Sequence, residues 1–560
     1  MTEYLELNVN DCKHCYKCIR DCPVKAIRFS GNQATIMQEK CVLCGKCFVS
    51  CPQKAKRIRN DLPKAQALVA GDAPVYASLA PAFVANYPGQ GIAQMGEALK
   101  SLGFAGAEET AIGATIVKRR FDAMVDAEEK PVIIDTCCPT VNMLAEKYFP
   151  AALPDMAQVI SPMQAHAQSI RMGHPDAKVI FIGPCISKKA EAEDYPGYVD
   201  CVLTFRELST WFAQEGVVLP ESGGPADEEA SGKARLFPTL GGVLRSMEKK
   251  NPHYSYIAVD GIIECLAAFK DISEGHLSNC FIEMSACSGS CIGGPAMSHD
   301  TGRVRGSSAI NAYATEGDFA TVDIPVDEMA KKLEFDVQPD PKFSDEAITE
   351  TLRKIGKAKP EDELNCGSCG YDTCREKAAA VLTGKATLEM CLPYLMSRVQ
   401  SFSDTIIKNM PSGIVVLNED MEIQQINNEA CRIFNVKKAS DVAGQNVVCL
   451  MAPTLFFKAL DGDGKVFESR QYLAEYRRFV QITVLHDKEN SLIIGILRDV
   501  TETETALVAR REAAENTVRV TDEVIAKQMR TVQEIASLLG ETAAETKIAL
   551  TKLKETLNDD

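Results

Sequence analysis

Twenty-two cysteines in 560 residues constrain this chain more than any other feature, because most of them fall in short, regular spacings. Cys12-x2-Cys15-x2-Cys18-x3-Cys22-Pro23 recurs 29 residues later as Cys41-x2-Cys44-x2-Cys47-x3-Cys51-Pro52. A separate set reads Cys366-x2-Cys369-x4-Cys374-x16-Cys391. Cys138, Cys185, Cys287 and Cys291 lie in three loops far apart in sequence: Asp135-Thr-Cys-Cys-Pro139, Gly183-Pro-Cys-Ile-Ser-Lys188 and Glu283-Met-Ser-Ala-Cys-Ser-Gly-Ser-Cys291. Each loop follows an apolar run and is shaped by Gly or Pro. Soft thiolates carried on sharply turning backbone suit a buried metal centre. Disulfide scaffolds are short and secreted, and this chain is neither. Its start, Met1-Thr-Glu-Tyr-Leu-Glu6, has no basic region followed by an apolar core, so no signal peptide is expected. No apolar run approaches the length of a membrane span. A cytoplasmic protein with reduced thiols is the economical expectation.

Hydrophobic content of 46% and charged content of 25% are those of folded protein, and the length allows about four domains. The net charge of -16 argues against nucleic-acid binding. Residues 1–60 run the other way, with 11 basic and 5 acidic side chains, but cluster thiolates would offset that excess.

The doubled run in residues 1–60 has the pattern of bacterial two-cluster ferredoxins, in which three close cysteines hold one cluster and the fourth crosses to the other. Cys12, Cys15, Cys18 and Cys51 are then expected on one [4Fe–4S] cluster, and Cys22, Cys41, Cys44 and Cys47 on the second. Zinc is the alternative, although zinc sites use separated cysteine pairs. Residues 61–74 read as a linker. From 75 to 335, strand-like runs (Val75–Leu79, Val132–Ile134, Val179–Ile182) alternate with helical stretches such as Ile92–Leu102, an α/β organisation. Glu221–Lys233 reads as a surface loop. Residues 360–395, with Cys366, Cys369, Cys374 and Cys391, are similar to a small α-rich [4Fe–4S] domain of corrinoid iron–sulfur proteins, with structural zinc as the alternative.

Residues 402–502 resemble a PAS α+β domain, opening at Asn409-Met-Pro-Ser-Gly-Ile-Val-Val416 and closing at Gly495-Ile-Leu-Arg-Asp-Val-Thr501. Its strands are expected at Val480–Leu485 and Leu492–Leu497. Cys431, Cys449 and His486 are read as packing or surface residues, and the ligand of this domain, if it has one, is unknown. Residues 503–560 place Ile525, Met529, Val532, Leu539, Leu550 and Leu553 in steps of three and four, the seam of a coiled coil. Gly540 is expected to divide it into two helices.

The three loops around Cys138, Cys185 and Cys287/Cys291 resemble, in order, the active-site signatures of the [FeFe]-hydrogenases, over roughly residues 75–300. The resemblance implies an H-cluster: a [4Fe–4S] unit on Cys138, Cys185, Cys287 and Cys291, with Cys291 bridging to a diiron unit that carries carbon monoxide, cyanide and a dithiolate. It implies that Cys137 relays protons, that Lys188 bonds one cyanide and that Pro81 lies near the other. Gly241 and Gly242 match a turn before a helix. Ser161 matches a serine of the family's proton path. Departures accompany these matches. Gly183 and Ser285 stand where methionines are usual, and Lys118 replaces a glutamate of the proton path. A lysine with a pKa near ~10.4 does not relay as a carboxylic acid does, so the usual path is broken, and a route around Ser285 is the alternative. With the PAS domain, these changes resemble the sensory subgroup of the family.

The expected architecture is therefore multidomain α/β and α+β: a two-cluster ferredoxin domain (1–60), an H-cluster domain (75–335), a [4Fe–4S] domain (360–395), a PAS domain (402–502) and a helical coiled-coil tail (503–560). The expected cofactors are one H-cluster and three further [4Fe–4S] clusters. The expected activity is slow H2 cleavage in an H2 or redox sensor, its partners being H2, protons, a ferredoxin or other redox protein, and a downstream phosphatase or kinase. Homo-oligomerisation through PAS and tail is expected, with no membrane partner. A productive hydrogenase subunit and a non-catalytic iron–sulfur protein are the alternatives.

Overall fold

A computed structural model describes residues 4–31, 33–219, 232–248, 250–298, 302–336, 341–462 and 466–556. It divides into two units, Met1–Leu395 and Met396–Asp560.

The first unit starts with a small domain whose outer strands, Leu5–Leu7 and Lys56–Ile58, pair antiparallel with Leu5 opposite Ile58. A hairpin, Ile27–Ser30 with Gln33–Ile36, turns at Gly31. Alternating Ile27 and Phe29 bury one face of that hairpin and Arg28 and Ser30 expose the other, as a half-buried strand requires. The expected linker is not all linker. Leu62–Val69 is a helix that buries Leu62 and Ala65, because these two residues share one helical face. The ion pairs at its start hold it further: Lys189, fully buried, lies 2.8 Å from Asp61 and 2.9 Å from Glu207.

Two parallel sheets form the centre of this unit. One has four strands in the order Gly106–Glu109, Val75–Leu79, Lys178–Gly183, Cys201–Thr204. The other has three, in the order Ser255–Asp260, Cys280–Ser285, Val132–Ile134. Val132–Ile134 and Cys280–Ser285 are buried along their whole length, the near-continuous apolar pattern of parallel strands covered on both faces. The expected strands and the helix Ile92–Ser101 form. Residues 220–231, most of the expected surface loop, lie outside the described residues. Helices Asp345–Lys354 and Cys374–Leu382 pack together through Leu352, Ile355 and Ala378.

The second unit contains a five-stranded antiparallel sheet in the order Ile423–Ile426, Gly413–Asn418, Leu492–Asp499, Arg478–Asp487, Phe467–Leu473. Phe456, Val480, Ile482, Val484, Ile493 and Leu497 fill its core. Asn427 fastens the first crossover: its side-chain oxygen accepts from the Ile414 and Ala430 amides at 2.8 and 2.9 Å. Cys431 is buried in this core and Cys449 is exposed. Thr501–Thr556 is a single helix. It runs through Gly540 without a break, contrary to the expected division. One exposed glycine costs a helix only about 1 kcal/mol relative to alanine. The residues of the expected seam, Ile525 to Leu553, are exposed along it. Among the described residues no helix is long and apolar enough to cross a membrane.

Candidate functional site

The three cysteine loops leave the carboxyl ends of parallel strands, where open α/β sheets place their ligands. Cys138 follows strand Val132–Ile134 and caps helix Pro139–Tyr148. Cys185 follows strand Lys178–Gly183 and precedes helix Ser187–Asp194. Cys287 follows strand Cys280–Ser285, and Cys291 sits in the one-turn helix Ser290–Gly293. The cavity they line thus draws Cys138, Cys287 and Cys291 from one sheet and Cys185 and Pro81 from the other. Its volume is about 120 Å³, and it is also lined by Cys137, Lys188, Asp135, Glu283 and Ser285.

The turns are sterically fixed. Gly242 begins helix Gly242–Ser246, and a Cβ there would fall 1.9 Å from the Leu236 carbonyl oxygen. Gly241 before it has φ +70°. At Gly183, where a methionine is usual in the resembled family, a Cβ would meet the Phe181 ring at 2.8 Å. Phe181, which also lines the cavity, fills space that a side chain at 183 would need.

Lys188 is buried, and its ammonium donates to Glu191 at 2.6 Å and to the Cys137 carbonyl at 3.3 Å. Glu191 also receives Lys331 at 2.5 Å and the Ser161 hydroxyl at 3.0 Å. Burial raises the Glu191 pKa, but Lys188 and Lys331 overcome it and hold the carboxyl below its ordinary value. Lys188 is the converse: burial lowers its pKa and Glu191 raises it further. The anionic partner that a buried ammonium needs is therefore, in the first place, a carboxylate of the same helix. Ser161, a cap of helix Pro162–Gly173, points into this network. Lys118 is fully buried and pairs with Asp318 at 2.5 Å.

Two carboxyls of the cavity were missed in the sequence. Asp135 accepts from the Met284 amide at 2.7 Å, and burial raises its pKa to about 6 against that bond and a hydrogen bond from the Cys137 thiol. Glu283 accepts from the Leu244 amide at 3.1 Å, and burial, reinforced by Asp135, raises it to about 8. The available signal was an acid inside the otherwise apolar strand Cys280–Ser285. Burial, then Asp135, push the Cys137 thiol well up, opposed by Lys188.

Twelve further cysteines line three smaller cups. Cys12, Cys15, Cys18 and Cys51 line one, Cys22, Cys41, Cys44 and Cys47 the next, and Cys366, Cys369, Cys374 and Cys391 the third. Each has a volume of about 20 Å³. Four thiolates on one zinc ion at about 2.3 Å would stand about 3.8 Å apart. Among the described residues the only ligand group with all its ligand atoms within 4.8 Å of one another is the exposed Asp271, Glu274 and His276, so no three of these cysteine sulfurs stand that close together. Lys56 gives a second indication. Its buried ammonium has no hydrogen-bond partner and lines the Cys12 cup, and its charge lowers the Cys18 pKa against the larger effect of burial. An uncompensated buried cation requires an anionic neighbour, which thiolate-bound iron–sulfur clusters supply. In the large cavity, burial raises the Cys287 thiol, and Cys185, Cys138, Cys291 and Cys44 raise it further. A coordinating metal deprotonates a thiol outright.

Comparison with known proteins agrees with this arrangement. Residues 73–295 match the family described as iron only hydrogenase large subunit, C-terminal domain. Residues 4–52 match a 4Fe-4S dicluster domain, 362–393 an Fe–S cluster family and 401–462 the PAS fold. Iron hydrogenase 1 of Clostridium pasteurianum is 25% identical over 299 residues, 43% of this chain and 52% of that protein. The chain thus spans about half the length of that relative. A cytosolic Fe-S cluster assembly factor of Kluyveromyces lactis is 32% identical over 104 residues, 18% of this chain and 22% of its own. A solved [FeFe]-hydrogenase variant from Chlamydomonas reinhardtii superposes with a TM-score of 0.36 at 19% identity, over 47% of this chain and 90% of that one. Residues 73–295 thus match the C-terminal domain of iron-only hydrogenase large subunits, between a segment that matches a 4Fe-4S dicluster domain and segments that match an Fe–S cluster family and the PAS fold.

Proposed function

We propose that the chain is an [FeFe]-hydrogenase of low turnover that reports H2 or redox state. The observation that carries this reading is the cavity at the sheet ends. It has more than twice the volume of any of the three cups, and beyond four cysteines it offers a fifth thiol, a lysine and two carboxyls. A cubane alone needs none of these. Cys138, Cys185, Cys287 and Cys291 would hold the cubane of an H-cluster, with Cys291 shared with the diiron unit, and Lys188 and Pro81 would flank that unit. The bound centre supplies the chemistry that splits H2 and takes up its electrons.

The residues handle the proton. Cys137 takes it first, and its thiol is hydrogen-bonded to Asp135. Asp135 and Glu283, with pKa values raised to about 6 and about 8, accept and release protons near neutral pH. Ser161 donates to Glu191, which two lysines keep ionised, and Lys118 is committed to Asp318. That leaves the family's usual exit without a carboxylic acid beyond Cys137 and accounts for slow turnover. Ser285, buried at the end of its strand, lines the cavity beside these acids.

The similarity over 104 residues to the cluster assembly factor favours a second reading, a non-catalytic iron–sulfur protein. Infrared bands of iron-bound carbon monoxide and cyanide in matured protein are expected on the first reading, and a matured, iron-replete protein without them would establish the second.

The sensory part of the proposal draws on the PAS domain and on the exposed apolar row of the tail. That row would bind a second copy or a signalling partner such as a phosphatase or kinase. H2 reduction should change amide exchange in the tail, and identical exchange in oxidised and H2-reduced protein would reject signalling.

A further inference from the structure

We propose that the site of Cys366, Cys369, Cys374 and Cys391 is the outer terminus of a single-file electron chain, seated on the Cys12 site. The proposal rests on reading the cysteine sets as [4Fe–4S] sites. It assigns their order: active-site cubane, Cys22 set, Cys12 set, Cys366 set.

Two junctions fix that order, and both are built in the same way. At the inner one, Gly45 follows Cys44 with φ +70°, and a Cβ there would lie 2.5 Å from Pro295 and 3.0 Å from Ile186. Ile186 follows Cys185, and Pro295 lies just beyond Cys291. Lys147, from the helix that Cys138 caps, donates to the Cys41 carbonyl at 2.9 Å. The Cys22 cup therefore abuts the active-site cavity.

At the outer junction, Gly370 follows Cys369 with φ +92°, and a Cβ there would lie 3.0 Å from the Ile19 side chain and 3.1 Å from the Arg20 amide. One Arg20 nitrogen donates to the Cys15 carbonyl at 3.2 Å and to the Ser368 carbonyl at 3.3 Å, so a single guanidinium spans the two ligand loops. Lys25 donates to the Gly370 carbonyl at 2.7 Å, and the Phe29 amide donates to the Lys385 carbonyl at 2.8 Å. Tyr371, Ala380, Ala386 and Met390 close the contact against the apolar side of the N-terminal domain. In each junction a left-handed glycine next to a ligand cysteine lets backbone touch the neighbouring domain. Close approach at those points serves electron transfer, whose rate falls steeply with distance.

The electrons balance without an outside oxidant. Each H2 gives two protons and two electrons, and each cubane accepts one electron. Two cubanes of the chain therefore store one turnover, and the outermost of them directly precedes helix Leu392–Asn409.

The test uses full-length, unmatured protein reduced with dithionite, so that it does not depend on hydrogenase activity. Wild type should carry about 16 iron atoms at four per cubane, and its paramagnetic signals should be split by coupling between neighbours. Changing Cys366 and Cys369 to Ser should remove about four iron atoms and the part of the splitting on the Cys12-set signal that the Cys366 set causes, while the Cys12 set stays coupled to the Cys22 set and the Cys22 set to the active-site cubane. Arg20→Ala with Lys25→Ala should keep the full iron content and weaken the same splitting. Loss of coupling at the Cys22 set or the active-site cubane, with the Cys12 set unaffected, would overturn the order. Half the iron with zinc in its place would instead overturn the cluster reading beneath it.

Discussion

The three sulfur cups and the cavity at the sheet ends are lined by the same ligand residue and differ in what surrounds it. The Cys22 cup is lined otherwise by Leu5, Val24, Ala26, Ile27, Ile36 and similar groups, and the Cys12 cup by apolar and basic ones. Among the described residues that line them, none of the three cups has a carboxylate. The cavity has two, Asp135 and Glu283, with the Cys137 thiol beside them. A site that moves only electrons needs thiolates and a low-polarity cup with compensating cations. A site that also handles protons needs groups that titrate near neutrality. On the proposed function, the contrast would separate the four sites by task more sharply than their cysteines do.

The largest effect that tests this contrast is at Cys291. Cys291→Ala should reduce H2 oxidation to background and abolish the carbon monoxide and cyanide bands after maturation, while the iron of the three cups stays bound. Retained bands would mean that the diiron unit is not tied to Cys291. Cys137→Ala should instead leave those bands in place and lower H2 oxidation by about 10²–10⁴-fold, the range for loss of a proton-transfer group. Full activity in this variant would move the proton route away from Asp135.

Legibility from sequence followed how local each feature is. The ferredoxin repeat and the Cys366–Cys391 set could be read because their ligands are close in the chain, and only the crossing of Cys51 and Cys22 required a pattern. The three cysteine loops that converge on the cavity stand out by their order and Gly/Pro context. Lys188 was singled out, but its partner Glu191, three residues on along the same helix, was not. Spacing alone does not tell a buried pair from a surface one. Lys118 and Asp318 are 200 residues apart, and nothing local announces that contact. The helix Leu62–Val69 reads as linker in the sequence because it is only eight residues long and is held by packing and by Lys189, interactions that propensity does not report. The same limit works in reverse at Gly540, where a local helix breaker is outvoted by the cooperativity of the residues around it.

A smaller effect probes the electron-only side of the comparison. Lys56 sits buried and without a hydrogen-bond partner at the Cys12 cup, and its charge also opposes the burial that raises the thiols of Cys41 and Cys47. It therefore faces both N-terminal sets. A nearby cation favours the reduced, more negative form of a cluster. Lys56→Met should shift the reduction potentials of both N-terminal clusters to more negative values and leave the iron content unchanged. A shift in only one cluster would place the ammonium at that cup alone.

The smallest effect concerns protons without any iron. Burial, with Asp135, raises Glu283 to about 8, well above its ordinary carboxyl value of 4.5. Between those two values the folded apoprotein keeps the proton on Glu283 while the unfolded chain releases it. The unfolded state then binds fewer protons, so stability falls as pH rises across this window. Below 4.5 both states are protonated and the contribution is flat. Glu283→Gln keeps the size and removes the titration. The amide oxygen can still accept from the Leu244 amide, as the Glu283 carboxyl does at 3.1 Å. The melting temperature of wild-type apoprotein should therefore decline more steeply between about pH 5 and pH 8 than that of Glu283→Gln, with the two curves closest at the acid end. Parallel melting curves for wild type and Glu283→Gln would mean that Glu283 is ionised in the folded apoprotein, and would remove the raised acid on which the proton-handling side of the comparison depends.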